Sequence, residues 1–459
     1  MLTTKNLICI SVSMLAIACT NSQSGVADIQ KPLSQQMVES HGLGNFDCNR
    51  KHKDSLATTG WDYVSGLVAS AVLKAYELYP QKTEYLQSVK QFANYSTSES
   101  GDSIFKAPKR ISAIGESNLD DLAAGKIYFT LYKDAVMRHD SASMKRYKNA
   151  ATMLRNKLKY EHARIAKGEI GEGGFFHKKQ YPNQMWLDGL YMGAAFYAQW
   201  QKEFGAELGE KDNQESWSDI ALQFKILHNQ TYDAEKQLCY HGWSATPSDA
   251  NSFWAVNEVK KGCSPEFWAR GMGWYFAALT DVLELMPTSH PDYAILLGNY
   301  KLVADGLKRW QDEKTGLWYQ LLQYDNTVSA DGKGDEIDGE TYNVGSQQNY
   351  LESSASCMFT YCFYKGVRLG LLAKDEYLHI AQKAFDGIQK EFLFVDENGQ
   401  LGIGNICASA GLGPQKDHSR TGTINYYLAG SDVVITRNEG KAIGTFIMAA
   451  LEKELSEQK

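Results

Sequence analysis

One recurring pattern constrains the fold of this chain more than any other feature. Small and polar residues, accompanied by aromatic residues, lead into a long apolar run, and such segments begin at Trp61, Asn118, Met185, Trp268 and Asn349. Apolar residues fall on more than one face of each run, which is typical of helices that are buried on all sides. The pattern therefore predicts at least five long, buried helices.

More hydrophilic helical stretches lie between these segments, at residues 143–166, 293–312 and 376–392. Their apolar residues fall at one-face helical spacing, so we expect an outer layer of amphipathic helices. Residues 440–455 supply a sixth apolar run. Repeated pairs of one buried and one amphipathic helix predict an all-α fold, an (α/α)6 barrel in which six helical hairpins close into a ring. A helical solenoid is the alternative, because periodicity alone cannot show closure.

The N-terminus has the pattern of an export signal. Lys5 precedes an apolar run from Leu7 to Ala18, which is too short to span a bilayer comfortably. A cysteine, Cys19, follows directly, and a polar stretch comes next. This arrangement resembles a bacterial lipoprotein signal, in which residues 1–18 are removed and the cysteine is lipidated. Ordinary secretion without a lipid is the alternative.

The predicted domain organisation follows from these two patterns. We expect an N-terminal tether at residues 19–50 that leads into the barrel, and one barrel domain at residues 51–459. The expected location is the bacterial periplasm or the outer membrane. A lipid anchor would tether the folded body without making it a spanning protein.

The cysteines and the net charge exclude several classes of site. Once Cys9 and Cys19 are assigned to targeting, no CxxC pair and no zinc-like spacing remains, so we expect neither a metal nor any other cofactor. The pairing of the six that are left stays open, because an exported location permits disulfides and free buried cysteine is common in cores; they are Cys48, Cys239, Cys263, Cys357, Cys362 and Cys407. A formal net charge of −7 argues against nucleic acid as a partner, because phosphate binding needs a basic surface. The oligomeric state stays open.

The first residues of the buried helices are expected to gather at one rim of the barrel. This arrangement would place Trp61, Asp120, Asp188 and Arg270 around a common mouth, where polar groups in an aromatic cleft can bind a ligand. The apolar neighbours of Asp188 predict a partly desolvated carboxyl with a raised pKa, which would keep a proton available near neutral pH. A helix N-cap is the alternative role for this aspartate.

Several segments are similar to the unsaturated rhamnogalacturonyl hydrolases, glycoside hydrolase family 105, which are related to the unsaturated glucuronyl hydrolases of family 88. The motifs that carry the resemblance are at residues 177–193, 241–243, 267–287, 349–359, 405–413 and 424–428. It extends from about Trp61 to the end of the chain. The resemblance implies an (α/α)6 barrel and the release of a terminal 4,5-unsaturated uronic acid from oligosaccharides that a polysaccharide lyase has produced.

The resemblance also implies roles for four residues. Asp188 matches the general acid and base of the family, and Asp120 matches a second acidic residue that assists it, with Asp121 as the alternative. His177, in a glycine-rich loop, resembles an active-site histidine. His241 resembles a second one, which contacts the sugar carboxylate or a water molecule.

Further residues are candidates for substrate binding. Arg270 can hold a uronate carboxylate with its fork of donors, and the flanking Trp268 and Trp274 can stack on sugar C–H surfaces. Trp186 and Tyr63 are candidate walls of the sugar pocket, with packing in the core as their alternative role.

The resemblance predicts hydration of the C4=C5 double bond, not direct attack at the anomeric carbon. One alternative is an unsaturated glucuronyl hydrolase that acts on glycosaminoglycan or ulvan fragments. A second alternative is a lipoprotein that binds glycans without catalysis. The chain has Met272 where the family more usually has asparagine, which leaves the local subsite contacts open.

Overall fold

A computed structural model describes residues 31–46, 60–106, 111–414, 416 and 418–458. The predicted signal peptide, the lipidation site Cys19 and the thiol Cys48 lie outside these residues. Pro32–Lys459 forms one compact unit. Within the described residues, no helix combines the length and the apolar character needed to cross a bilayer.

Helices dominate the described part of the chain. In chain order they are α1 (Leu33–Met37), α2 (Tyr63–Leu78), α3 (Thr83–Ser96), α4 (Asp120–Ala123), α5 (Ile127–Met137), α6 (Ser141–Asn156), α7 (Leu187–Gly189), α8 (Ala195–Phe204), α9 (Glu210–Thr231), α10 (Ala269–Leu285), α11 (Tyr293–Arg309), α12 (Ser353–Arg368), α13 (Lys374–Glu391), α14 (Ile424–Ala429) and α15 (Gly440–Glu457). A 3-10 turn at residues 124–126 joins α4 to α5, and a π-helical turn at residues 190–194 joins α7 to α8. Each joined pair therefore acts as one long helix.

The six predicted apolar runs form an inner ring of α2, α4–α5, α7–α8, α10, α12 and α15. Neighbours in the ring contact one another, and α15 packs against both α12 and α2, so the ring closes. The helices α3, α6, α9, α11 and α13 form hairpins with the inner helices that precede them. The prediction of an all-α (α/α)6 barrel is confirmed, and the open solenoid is excluded.

The N-terminal segment takes part in this packing. The helix α1 continues through a π-helical turn at Val38–Gly42 and a 3-10 turn at Leu43–Phe46, and this stretch lies against α15 and α2. Ser34 donates a hydrogen bond of 2.7 Å from Oγ to Glu454 of α15. Residues 33–46 thus take the outer position beside the last inner helix, a packing that the predicted tether at residues 19–50 did not include.

Short antiparallel strand pairs lie in the segments that connect the helices. The strands are β1 (Phe105–Lys106), β2 (Ile111–Ser112), β3 (Gln184–Trp186), β4 (Tyr232–Asp233), β5 (Leu238–Cys239), β6 (Gly242–Ser244), β7 (Asp335–Ile337), β8 (Glu340–Tyr342), β9 (Leu393–Val395), β10 (Leu401–Ile403), β11 (Ile406–Cys407) and β12 (Ile435–Thr436). The pair β3–β6 joins distant parts of the chain, because Trp186 lies opposite Gly242. It fixes the start of α7 beside the segment that contains His241.

Candidate active site

Asp188 and His241 form the centre of the site. The Oδ2 atom of Asp188 lies 3.0 Å from Nε2 of His241, and the hydroxyl of Tyr427 lies 2.7 Å from Nδ1 of the same ring. The β3–β6 pair holds this geometry, since the amide of Leu187 donates to the carbonyl of His241 at 3.0 Å. His241 is fully buried, whereas the Asp188 side chain is 13% exposed. The pair can therefore exchange a proton with a molecule that reaches Asp188.

The cap alternative for Asp188 does not hold, because Trp186 occupies the N-cap position of α7 and Asp188 lies inside the first turn. The next residue, Gly189, lets the start of the helix pack closely. A Cβ atom at this position would lie 2.8 Å from Cδ1 of Leu119 and 3.3 Å from Nδ1 of His177. The start of α7 therefore packs closely against Leu119 and His177.

The expected pKa of Asp188 is wrong in direction. Burial is the largest influence and raises the pKa, as the sequence suggested, but the charge of His241, its hydrogen bond and the charge of His177 together outweigh it. The pKa of Asp188 is lowered below its ordinary value. The carboxylate is therefore ionised, with the neighbouring imidazole as its partner.

His177 lies on the other side of the site, between the two acidic residues. Its ring stacks on Trp186 with centroids 4.3 Å apart, and its Nε2 atom is 3.7 Å from Oδ1 of Asp120. Burial lowers the pKa of His177 to about 4, against the opposing charges of Asp120 and Asp188. Its Nδ1 atom is buried and has no hydrogen-bond partner within the described part of the chain. His177 is thus a neutral ring with one uncommitted nitrogen.

The structure separates Asp120 from Asp121. Asp120 faces the site, where its Oδ2 atom lies 2.5 Å from Nζ of Lys178. Asp121 turns away and accepts a hydrogen bond of 2.8 Å from the amide of Gly115, and burial raises its pKa. Of the two carboxylates, only Asp120 lies beside His177.

Lys178 is a site residue that the sequence analysis missed. Burial lowers its pKa, but the charge of Asp120 and the hydrogen bond to it outweigh burial, so the pKa is raised and the ammonium stays charged. The side chain is 24% exposed. Its position next to His177 in the sequence was the available signal, because a cation beside a candidate active-site residue suits an anionic sugar.

The side chain of Arg270 is more buried than expected. It is 2% exposed, its Nη1 atom donates to the carbonyl of Cys407, and the same atom lies 3.8 Å from Glu352. Its guanidinium carbon is 4.8 Å from the ring centroid of Trp268. Arg270 belongs to the same rim, since it lies against Trp268, whose ring centroid is 4.6 Å from that of His241. Glu352 was not anticipated as its partner.

The predicted aromatic residues also gather here, and their contacts are to protein. Trp268 is enclosed by His241 and by a stacked Tyr427, with ring centroids 4.6 Å and 6.0 Å away. Trp274 packs edge-on to Tyr63 at 6.3 Å. Burial and the charge of Asp120 raise the pKa of Tyr63, so its phenol stays neutral. Sugar stacking by these rings stays a prediction.

Two sequence positions depart from the expected rim. Trp61 is 1% exposed and stacks between Phe92 and Tyr128, so its expected place at the mouth is wrong. Met272 is buried, and its sulfur accepts a hydrogen bond of 3.2 Å from the amide of Cys239. The residue that replaces the usual asparagine therefore supports β5.

Comparison with known proteins agrees with this fold. The model of Glycosyl Hydrolase Family 88 matches residues 42–332 and 341–456. A glycoside hydrolase of family 105 from C. acetobutylicum ATCC 824, of known structure, is 32% identical, with 93% of this chain and 100% of that chain covered and a TM-score of 0.73. Unsaturated rhamnogalacturonyl hydrolase YesR from Bacillus subtilis (strain 168) is 22% identical, over 57% of this chain and 64% of that protein.

A further relative is the unsaturated 3S-rhamnoglycuronyl hydrolase from Formosa agariphila, which is 26% identical over 54% of this chain and 57% of its own length. These similarities confirm the family resemblance seen in the motifs. Because the family model covers most of the chain, the protein belongs to Glycosyl Hydrolase Family 88, and it is a glycosidase of the unsaturated uronyl hydrolase type.

Proposed function

We propose that the enzyme releases a terminal 4,5-unsaturated uronic acid from lyase-generated oligosaccharides, with an unsaturated galacturonyl- or glucuronyl-rhamnose as substrate, by adding water across the C4=C5 bond. One observation carries this proposal: a solvent-accessible carboxylate, Asp188, is hydrogen-bonded to a buried histidine that can share its proton. Asp120, His177 and Lys178 lie around the same opening. This set supplies an acid, a base and a cation.

The reaction begins with proton transfer to C4. Substrate binding brings a uronate carboxylate next to Asp188, and this like charge favours the protonated form of the aspartate. The proton comes from the Asp188–His241 pair. The alkene electrons form the new C4–H bond, and the cation that develops at C5 is shared with the ring oxygen.

Water then adds at C5 and gives its proton to the Asp188 carboxylate, which restores the pair. The resulting hemiketal opens by breaking the bond between C5 and the ring oxygen, which leaves a ketone at C5 and a hemiacetal at C1. Collapse of the hemiacetal forms an aldehyde and releases the neighbouring sugar as an alcohol. One water molecule is consumed, and no covalent sugar–enzyme bond forms.

The two cations of the site differ in accessibility. Lys178 is 24% exposed and Arg270 is 2% exposed, with its Nη1 atom already bonded to the Cys407 carbonyl. We assign the first contact with the uronate carboxylate to Lys178. Arg270 stabilises the rim through its ion pair with Glu352, and its buried charge adds positive potential to the site.

Replacing Asp188 by Asn tests the proposal. The expected result is an intact fold and no loss of alkene absorbance from unsaturated disaccharides. Asp121→Asn is a matched control, because the amide can still accept the hydrogen bond from Gly115, and it is expected to keep its activity. Full activity in Asp188→Asn, or rapid cleavage of a saturated uronoside by the wild type, would overturn the mechanism. A panel with rhamnose-linked and glycosaminoglycan-derived substrates separates the substrate classes.

We also propose that the protein is exported as a lipoprotein, on the strength of the apolar run before Cys19. Metabolic labelling with palmitate in a bacterial host tests this. The expected result is label on the wild type and none on Cys19→Ala, which would move to the soluble periplasmic fraction. An unlabelled wild type would support ordinary secretion.

A further inference from the structure

The helix that carries Asp188 does not continue as a regular α-helix. Its first turn, α7, leads into the π-helical turn at residues 190–194, where the amide of Ala195 donates to the carbonyl of Leu190, five residues back. In an α-helix this amide would donate to the carbonyl of Tyr191, four residues back. The π-helical turn therefore leaves the carbonyl of Tyr191 without its usual donor from the helix.

The extra residue in this turn affects the direction in which the Asp188 side chain points. Each residue of an α-helix occupies about 100° of the helical circle, so one inserted residue rotates the side chains before it by about that angle relative to those after it. Asp188 lies just before the turn, whereas α8 lies just after it and packs against α10. With α8 in the same place, a regular α-helix would turn the carboxylate away from Nε2 of His241, from which it lies 3.0 Å.

Lys126 supplies the donor that the helix does not provide. Its side chain comes from the 3-10 turn at residues 124–126, and its Nζ atom donates a hydrogen bond of 2.8 Å to the carbonyl of Tyr191. The same atom lies 3.2 Å from the centroid of the Tyr191 ring. One side chain thus contacts both the backbone and the ring of a residue in the π-helical turn.

Burial changes the charge of Lys126 but not its ability to donate this bond. The residue is 8% exposed. Burial lowers the pKa of Lys126 to about 7, while the charge of Asp281 opposes this and the charge of Lys74 adds to it. Because the ammonium and the neutral amine both carry N–H donors, the hydrogen bond to Tyr191 forms in either state.

The segment that contains Lys126 contacts the π-helical turn at a second point. Leu119, directly before Asp120, packs against the turn so closely that a Cβ atom at Gly193 would lie 2.8 Å from the leucine side chain. The segment from Leu119 to Lys126 therefore contacts the turn at both of its ends. These contacts join the part of the chain that carries Asp120 to the part that carries Asp188.

We propose that Lys126 is a positioning residue of the active site, which stabilises the π-helical turn through Tyr191 and so directs the Asp188 carboxylate at His241. This inference rests on the proposed role of Asp188 in proton transfer. Lys126 lines a cavity of about 160 Å³ whose described wall includes none of the predicted site residues. It therefore acts through Tyr191 and not by contact with the substrate.

Steady-state kinetics of Lys126→Met test the proposal, because methionine has a similar length but neither a donor nor a charge. The expected kcat is about 10- to 100-fold below that of the wild type, since a displacement of about 1 Å at a reacting group can cost two orders of magnitude. KM is expected to stay unchanged, because the lost interaction matters in the transition state.

Two further variants separate positioning from stability. Lys126→Arg is expected to recover most of the kcat, because a guanidinium also donates to a carbonyl and stacks on an aromatic ring, and the adjacent cavity leaves room for it. Tyr300→Phe is the matched control, since this buried hydroxyl likewise donates to an inner-helix carbonyl, that of Cys362, at 3.1 Å. Urea unfolding is expected to show a loss of stability in Tyr300→Phe, with its kcat unchanged.

The proposal is overturned if Lys126→Met keeps the kcat of the wild type, if Lys126→Arg is no more active than Lys126→Met, or if Tyr300→Phe loses as much kcat. If Lys126→Met does not fold, the shorter Lys126→Gln takes its place, and a wild-type kcat in that variant overturns the proposal. Failure of the proposed function gives a different result, because Asp188→Asn would then stay active.

Discussion

Replacing Tyr427 by Phe is expected to slow the reaction through His241. The tyrosine hydroxyl lies 2.7 Å from Nδ1 of His241, and that ring has no exposed surface. Without the hydroxyl, a buried ring nitrogen loses its partner, which costs about 1–3 kcal/mol. If the transition state is destabilised by this much more than the ground state, kcat decreases about 5- to 150-fold, because about 1.4 kcal/mol corresponds to a factor of ten.

Steady-state kinetics and urea unfolding of two variants separate catalysis from stability. Tyr426→Phe is the control, because its hydroxyl is also buried and accepts a hydrogen bond of 2.8 Å from the Gly411 amide, with no contact to His241. Both variants should lose about 1–3 kcal/mol of unfolding free energy, but only Tyr427→Phe should lose kcat. An equal kcat in the two variants would refute the claim that Tyr427 orients His241.

Two further predictions concern charge. Lys178→Met is expected to raise KM about tenfold, as a charge-assisted hydrogen bond to the uronate is lost, whereas Lys179→Met, an exposed neighbour paired with Glu116, should leave KM unchanged in initial-rate assays. Burial lowers the pKa values of His162, His177 and His228 from 6.5 to about 4. The unfolded chain therefore binds more protons between these pH values, and each histidine should remove up to about 3 kcal/mol of unfolding free energy as the pH falls through this window. Urea titrations at several pH values measure this, and a pH-independent unfolding free energy would contradict it.

The hydrophobic pattern of the helical segments predicted much of the fold. Apolar residues on several faces predicted the inner helices, and one-face spacing predicted the outer ones. Closure depends on contacts between α15 and α2, which lie at opposite ends of the chain, so no local pattern could reveal it. For the same reason, the packing of residues 33–46 against α15 was not foreseen.

The sequence predicted which residues lie in the site better than it predicted the contacts between them. Asp188, Asp120, His177 and His241 do lie together. The direction of the Asp188 pKa was wrong because its main opposing influence, His241, is 53 residues away in the sequence. Tyr427, 186 residues beyond His241, could not be paired with it from spacing alone.

Hydrolysis in D₂O tests most directly whether the enzyme protonates an alkene. At early times, before the product exchanges hydrogen with solvent, mass spectrometry and NMR should find one deuterium at C4 of the released acid for each bond cleaved, and the alkene signal should disappear at the same rate. Release of the neighbouring sugar with the C4=C5 bond retained and no deuterium at C4 would contradict the proposed mechanism.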